Sequence, residues 1–155
     1  MSNVALDQIV PDFTAQATGD TSVSSSALRG SKVVLYFYPK DSTPGCTTEG
    51  RDLRDLYPQF TTAGAKIFGI SRDSLKSHEK FKAKENFPFE LIADADEALC
   101  RLFDVIRPKT MYGREVVGIE RSTFLLDENG VLRREWRKVK VEGHAQAVLE
   151  AVQAL

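Results

Sequence analysis

Long hydrophobic runs are missing from this chain. The longest, Val33 to Tyr38, has six residues, whereas a bilayer span needs about 20. The segment Met1-Ser2-Asn3-Val4 has neither the basic stretch nor the apolar stretch of a leader peptide, so a cytoplasmic protein with no membrane partner is expected. Cysteine is scarce. Cys46 and Cys100 are too few for a disulfide framework and are expected to be reduced in a cytosol. Only two histidines occur, and no C-x-x-C or H-x-x-x-H spacing is present, so neither a metal nor another cofactor is expected. An excess of either charge is also missing. Twenty-one basic residues face 22 acidic ones, which leaves no global field to attract nucleic acid or an anionic membrane. No repeat, low-complexity block or linker composition interrupts the sequence.

What is present suits one globular domain spanning 1–155. The chain has 155 residues, 42% of them hydrophobic and 28% charged, enough for a single core and too apolar for disorder. Lys32 to Tyr38 reads as a strand buried on both faces. From Cys46 to about Ala63, apolar residues at Leu53, Leu56, Tyr57 and Phe60 mark one face of a helix. Pro58 is expected to kink or split that helix. Ala65–Ser71 reads as a second central strand. Ser74 then caps a helix whose inner face includes Leu75, His78 and Phe81 and which ends near Asn86. Glu90–Ala93 is a third strand, and 94–103 a short helix. Ile119–Asp127 and Val131–Val139 flank Glu128-Asn129-Gly130 as a β-hairpin, and 142–155 closes the chain as a helix. Thr21–Ser26 is a loop or a weak edge strand. This order argues an α/β thioredoxin-like fold with a central mixed β-sheet flanked by helices.

Chemistry concentrates where the Lys32–Tyr38 strand runs into Pro39-Lys40-Asp41-Ser42-Thr43-Pro44-Gly45-Cys46. A tight Pro/Gly loop delivers a thiol to the start of a helix. There the backbone N–H groups lack intrahelical partners and the helix dipole favours an anion. Thr43 can present its hydroxyl to the same place.

The spacing Pro39-x-x-x-Thr43-x-x-Cys46 resembles the active-site motif of the peroxiredoxins. The blocks Val34–Asp41 and Thr43–Glu49 are similar to their PrxQ or bacterioferritin-comigratory-protein branch. So are Gly69-Ile70-Ser71-x-Asp73-Ser74, Phe87-Pro88-Phe89-x-Leu91 and Gly118-Ile119-x-Arg121-Ser122-Thr123-Phe124-Leu125. The resemblance covers nearly the whole chain in order. It implies a thiol-dependent, antioxidant peroxidase acting on hydrogen peroxide or organic hydroperoxides. Cys46 is then the redox-active cysteine whose thiolate becomes a sulfenic acid. Thr43 hydrogen-bonds the peroxide, and Arg121, on the late strand, holds thiolate and peroxide. Pro39 shields the sulfur, and the N–H groups near Gly45 complete the pocket. Glu49 is expected to cap the helix rather than orient an arginine, and Phe37 is a supporting ring. A cysteine of ordinary acidity is already a few per cent thiolate at neutral pH. More thiolate therefore supplies at most roughly 2 kcal/mol of rate, while each donor aimed at the breaking O–O bond is worth about 3 kcal/mol. Thr43 and Arg121 are the candidates for that share.

The chain departs from the branch in its second thiol. The resolving position five residues after Cys46 is Arg51, and the 74–86 helix carries no cysteine. Only Cys100 remains, and it reads as a packed core thiol. A one-cysteine enzyme recycled by glutathione with glutaredoxin, or by thioredoxin, is therefore expected. The alternative is an atypical two-cysteine enzyme with Cys100 as resolver. A thioredoxin-like oxidoreductase would need a first cysteine at the Thr43 position. A non-enzymatic binding module could use the basic run Arg133–Lys140, which reads instead as the solvated face of a strand. The branch implies a monomer, with a weak dimer as the alternative.

Overall fold

A computed structural model describes residues 3–155, with the backbone alone at 109 and 111. Met1 and Ser2, the start of the segment read for a leader, lie outside the described residues. The elements run β1 (Thr14–Ala17), β2 (Thr21–Ser24), a 3₁₀ turn (Ser26–Leu28), β3 (Lys32–Phe37), α1 (Pro44–Thr62), β4 (Ala65–Ser71), α2 (Leu75–Glu85), β5 (Glu90–Ala93), α3 (Ala98–Leu102), β6 (Ile106–Met111), β7 (Arg114–Ile119), β8 (Ser122–Leu126), β9 (Leu132–Trp136) and α4 (His144–Gln153). Seven strands form one mixed sheet in the order β2-β1-β5-β4-β3-β8-β9. β3 pairs parallel with β4, and β4 with β5, through helical crossovers. β8 returns antiparallel beside β3, in register Phe37↔Ser122. This is the thioredoxin-like layout expected from the element order.

Alternation along β3 divides the core into two layers. Val33, Leu35 and Phe37 join Leu99, Cys100, Phe103 and Phe124 on one face of the sheet. Val34 and Tyr36 join Leu53, Phe60, Phe81 and Val148, from α1, α2 and α4, on the other. The two layers explain why β3 is apolar at nearly every position: neither face meets water.

Several boundaries differ from the sequence reading. Pro58 lies inside α1 without splitting it; Leu53 and Phe60, on either side, are both buried, so packing carries the helix across the missing N–H. The 94–103 helix contracts to α3 because Glu97 takes a left-handed conformation (φ 64°). The Asp94 carboxylate then accepts from the N–H groups of Leu99 (3.0 Å) and Cys100 (2.8 Å). Thr21–Ser24 is an edge strand, paired with a strand that sequence did not reveal: β1, Thr-Ala-Gln-Ala, in which only the threonine carries intrinsic strand preference. The β6–β7 hairpin was also hidden. Pro108 argues against a strand, yet a separate two-stranded ribbon tolerates it, and the positive φ of Tyr112 and Gly113 makes the two-residue turn. Ile119 belongs to this ribbon rather than to β8. Of the basic run, Arg137 turns partly inward: it donates to the carbonyls of Phe103 and Asp104, both at 2.8 Å. No helix among the described residues is long and apolar enough to cross a membrane.

Candidate active site

The end of β3, the loop 39–43 and the first turn of α1 build the site. Thr43 is the N-cap in extended conformation and Pro44 the first helical residue, where a missing N–H costs nothing. The first intrahelical bond runs from Thr47 N–H to Thr43 C=O (2.9 Å). The N–H groups of Gly45 and Cys46 precede it, so the ladder leaves them free. Cys46 stands at this turn and is 2% exposed. Arg121 reaches it from the link between β7 and β8. Its Nη2 donates to Cys46 Sγ at 3.4 Å and its Nη1 to Glu49 Oε1 at 2.6 Å. Cys46 and Glu49 are three residues apart and share a helix face, so one guanidinium spans both. Gly45 makes room for it, since a Cβ there would stand 3.1 Å from Arg121 Nη2.

The electrostatics follow from one cation facing two acids. Burial pushes the Glu49 carboxyl up to about 7, against the opposing pull of Arg121. Its Oε2 has no hydrogen-bond partner among the described residues, which leaves half of an ionised carboxylate uncompensated. Burial works against the Arg121 guanidinium too, yet Glu49 and Cys46 together hold it more basic than an ordinary arginine. The two shifts favour opposite forms of the ion pair. The upward shift of Glu49 is the one the geometry supports, because the carboxyl is buried and one of its oxygens has no partner to offset the charge. Behind Arg121, His144 hydrogen-bonds Thr123 Oγ1 (2.8 Å); burial first, and Arg121 second, lower it to about 4.

The structure brings together Cys46, Arg121, Gly45 and Thr43. Arg121 lies in the link between β7 and β8 rather than on a strand. Thr43 is half-buried, and its hydroxyl donates to Lys40 C=O (2.8 Å) instead of capping the helix. The oxygen's lone pairs are thereby left to accept a hydrogen. Pro39 sits half-buried at the bend after β3. Two expectations need correction. Glu49 does not cap the helix; it is 1% exposed and paired with Arg121. Phe37 does not support this site, because it packs on Phe103 and Phe124 in the opposite layer. Strand alternation puts Tyr36 on the Cys46 side instead. Burial first, then Glu49 and Cys46, push its phenol well up. Cys100 is a packed core thiol, as expected. It is fully buried on the other face of the sheet from Cys46, and burial, then Asp94, push its thiol up. A disulfide needs the two Cα atoms within about 7 Å, and here the sheet stands between them.

Sequence reasoning passed over Asp41 and His78. Asp41 lies within the quoted Val34–Asp41 block, and His78 was placed on the inner face of α2; a histidine facing a core one turn before Phe81 was the signal.

The AhpC/TSA family profile matches residues 6–135. Peroxiredoxin Bcp of Xanthomonas campestris is 59% identical over 143 residues, covering 92% of this chain and 89% of that one. Peroxiredoxin Bcp of Bacillus subtilis is 47% identical over 152 residues, covering 98% and 95%. Among solved structures, the bacterioferritin comigratory protein of X. campestris, studied for alkyl peroxide reduction, superposes with a TM-score of 0.87 at 58% identity, covering 92% of this chain and 90% of that one. A cysteine variant of PrxQ from Xylella fastidiosa gives a TM-score of 0.93 at 44% identity, covering 99% and 98%.

Proposed function

Since this chain belongs to the AhpC/TSA family and is a thiol-dependent peroxidase of the peroxiredoxin Bcp kind, we propose that Cys46 is its peroxidatic residue, and that it works as a one-cysteine enzyme on hydrogen peroxide and organic hydroperoxides. The observation that carries this reading is the 3.4 Å contact of Arg121 Nη2 with Cys46 Sγ at the amino end of α1. The thiolate attacks the nearer peroxide oxygen; the S–O bond forms as the O–O bond breaks, leaving a sulfenic acid. The departing oxygen takes a proton and leaves as water or an alcohol. Charge moves from sulfur to that oxygen during the step. Arg121 and the Gly45 and Cys46 N–H groups are fixed donors for it, and fixed donors need no reorganisation as the charge develops. Thr43, its own hydrogen committed to Lys40, accepts the peroxide O–H and so sets the direction of approach. Pro39 covers the sulfur on the loop side.

The recycling step belongs to the same proposal and is supported by the position of Cys100. Cys100 lies across the sheet, so an external thiol condenses with the sulfenic acid, releasing water. A second thiol then reduces the mixed disulfide. Glutathione with glutaredoxin, or thioredoxin, supplies these thiols. The test is turnover with each reductant in Cys46→Ser and Cys100→Ser variants. Cys46→Ser loses turnover with all of them, whereas Cys100→Ser keeps it with at least one. Recycling that stops in Cys100→Ser rejects the one-cysteine reading.

A further inference from the structure

The loop that presents Thr43 is held by a buried side-chain cluster with no part in the chemistry above. The Asp41 side chain is 3% exposed and that of His78 is 0%. Asp41 Oδ1 accepts from Tyr38 Oη at 2.6 Å, and Oδ2 accepts from Ser77 Oγ at 2.8 Å. His78 Nδ1 meets the same Oδ2 at 2.7 Å. The Asp41 N–H donates to Asp73 Oδ2 (2.9 Å), which Ser71 Oγ also reaches (2.5 Å). His78 Nε2 completes the chain on the Ile92 carbonyl of β5 at 2.8 Å. One aspartate thus ties the loop to the end of β3, to α2 and, through His78, to β5. Both ring nitrogens of His78 face acceptors, so the His78–Asp41 pair holds a proton on each contact. Asp41, Asp73 and His78 also present ligand atoms within 4.8 Å of one another. Hydrogen bonds already engage all three side chains, so the cluster is complete without an ion.

Ser42, between Asp41 and Thr43, has φ 61°. A non-glycine residue holds that conformation only where its surroundings over-determine it. Beyond Asp41, the loop's own side-chain tie is Thr43 Oγ1 to Lys40 C=O. Fixing Asp41 therefore fixes the strained turn, and the turn sets where the Thr43 hydroxyl points. Resting on the reading of Thr43 as the acceptor for peroxide, we propose that Asp41, with His78 and Ser77, is a positioning device for Thr43: it sets how well the enzyme receives peroxide and leaves the reactivity of the Cys46 sulfur alone.

The test compares two reactions of the same sulfur: oxidation by hydrogen peroxide, which uses Thr43, and alkylation by iodoacetamide, which does not. Asp41→Ala is expected to slow oxidation by tenfold to a hundredfold, as misplacing a positioning group does, with alkylation within about twofold of the parent. Asp41→Asn restores most of the loss. Its carboxamide can donate to Nδ1 of a neutral His78 and to Ser77, while its oxygen still accepts from Tyr38. Ser77→Ala, which removes one donor, serves if Asp41→Ala fails to fold; about a threefold loss, in oxidation only, is expected. In a Thr43→Val background Asp41→Ala should cost nothing further. If Thr43→Val slows oxidation but the two losses multiply, or if alkylation falls in parallel, the positioning proposal fails and the Thr43 reading stands. If Thr43→Val leaves oxidation unchanged, the Thr43 reading fails and the proposal falls with it.

Discussion

Arg121 stands between the Cys46 thiol and the Glu49 carboxyl and carries one charge for both, through separate nitrogens. A lysine keeps the charge but not the fork. Arg121→Lys is therefore expected to lower the rate of Cys46 oxidation by about 10²-fold, measured by single-turnover mixing with hydrogen peroxide. Burial around this site makes stability depend on pH in two opposing ways. Glu49 lies at about 7 in the folded state against 4.5 for an ordinary glutamate. Its contribution to stability is complete below the lower value and is lost as pH rises through the upper one. His144 lies at about 4 against 6.5; its contribution is present above the upper value and is lost as pH falls through the lower one. Each is worth at most about 3 kcal/mol, and across most of this window they offset each other. Glu49→Gln should give a protein that becomes more stable relative to the parent as pH rises from about 4.5 to 7, and His144→Gln one that does so as pH falls from about 6.5 to 4. Urea midpoints across that range decide it; unchanged slopes in both variants would mean that neither group titrates as the burial implies.

Single elements hold the site in place by close packing. α1 presents Gly50 to the ring of Phe87, and a Cβ there would stand 2.4 Å from Phe87 Cζ. Phe87 is itself packed between Phe81 and Phe89 and has little room to yield. Gly50→Ala should therefore cost about 1–3 kcal/mol in chemical denaturation and loosen the turn that follows Cys46. A cost below about 0.5 kcal/mol would show that the ring layer adapts. At α3, Asp94 takes the place of an ordinary N-cap and satisfies two buried N–H groups. Asp94→Ala is expected to destabilise by about 1–3 kcal/mol. Cys100 should then become more reactive toward thiol reagents than in the parent, where burial shields it.

Across the whole molecule, the sheet separates the two thiols. Oxidation of the native protein by one equivalent of peroxide, with no reductant, should add one oxygen atom to the intact mass and form no bridge. The same treatment in denaturant, where the sheet no longer intervenes, should allow a Cys46–Cys100 disulfide, read as the loss of two hydrogens. A native protein that loses two hydrogens has brought its layers apart and would restore Cys100 as resolver.

The central alternation of strands and helices and the Thr43 to Cys46 turn at a helix start were legible along the chain, and Arg121 was singled out by the motif. Each is local or carried by a motif: hydrophobic period sets element type, Pro and Gly set the turn, and the spacing sets which residues share it. The partners of Glu49 and Cys100 were not legible. Glu49 could cap a helix or meet an arginine 72 positions away, and sequence spacing favours the nearer partner. Phe37 and Tyr36 are equivalent as strand residues until it is known which face receives α1. β1 and the β6–β7 ribbon owe their conformation to pairing rather than to propensity. The chain by itself determined which side chains can do the chemistry. Tertiary structure decided which of them meet, because a buried sheet sorts neighbouring residues onto opposite faces and brings distant ones onto the same one.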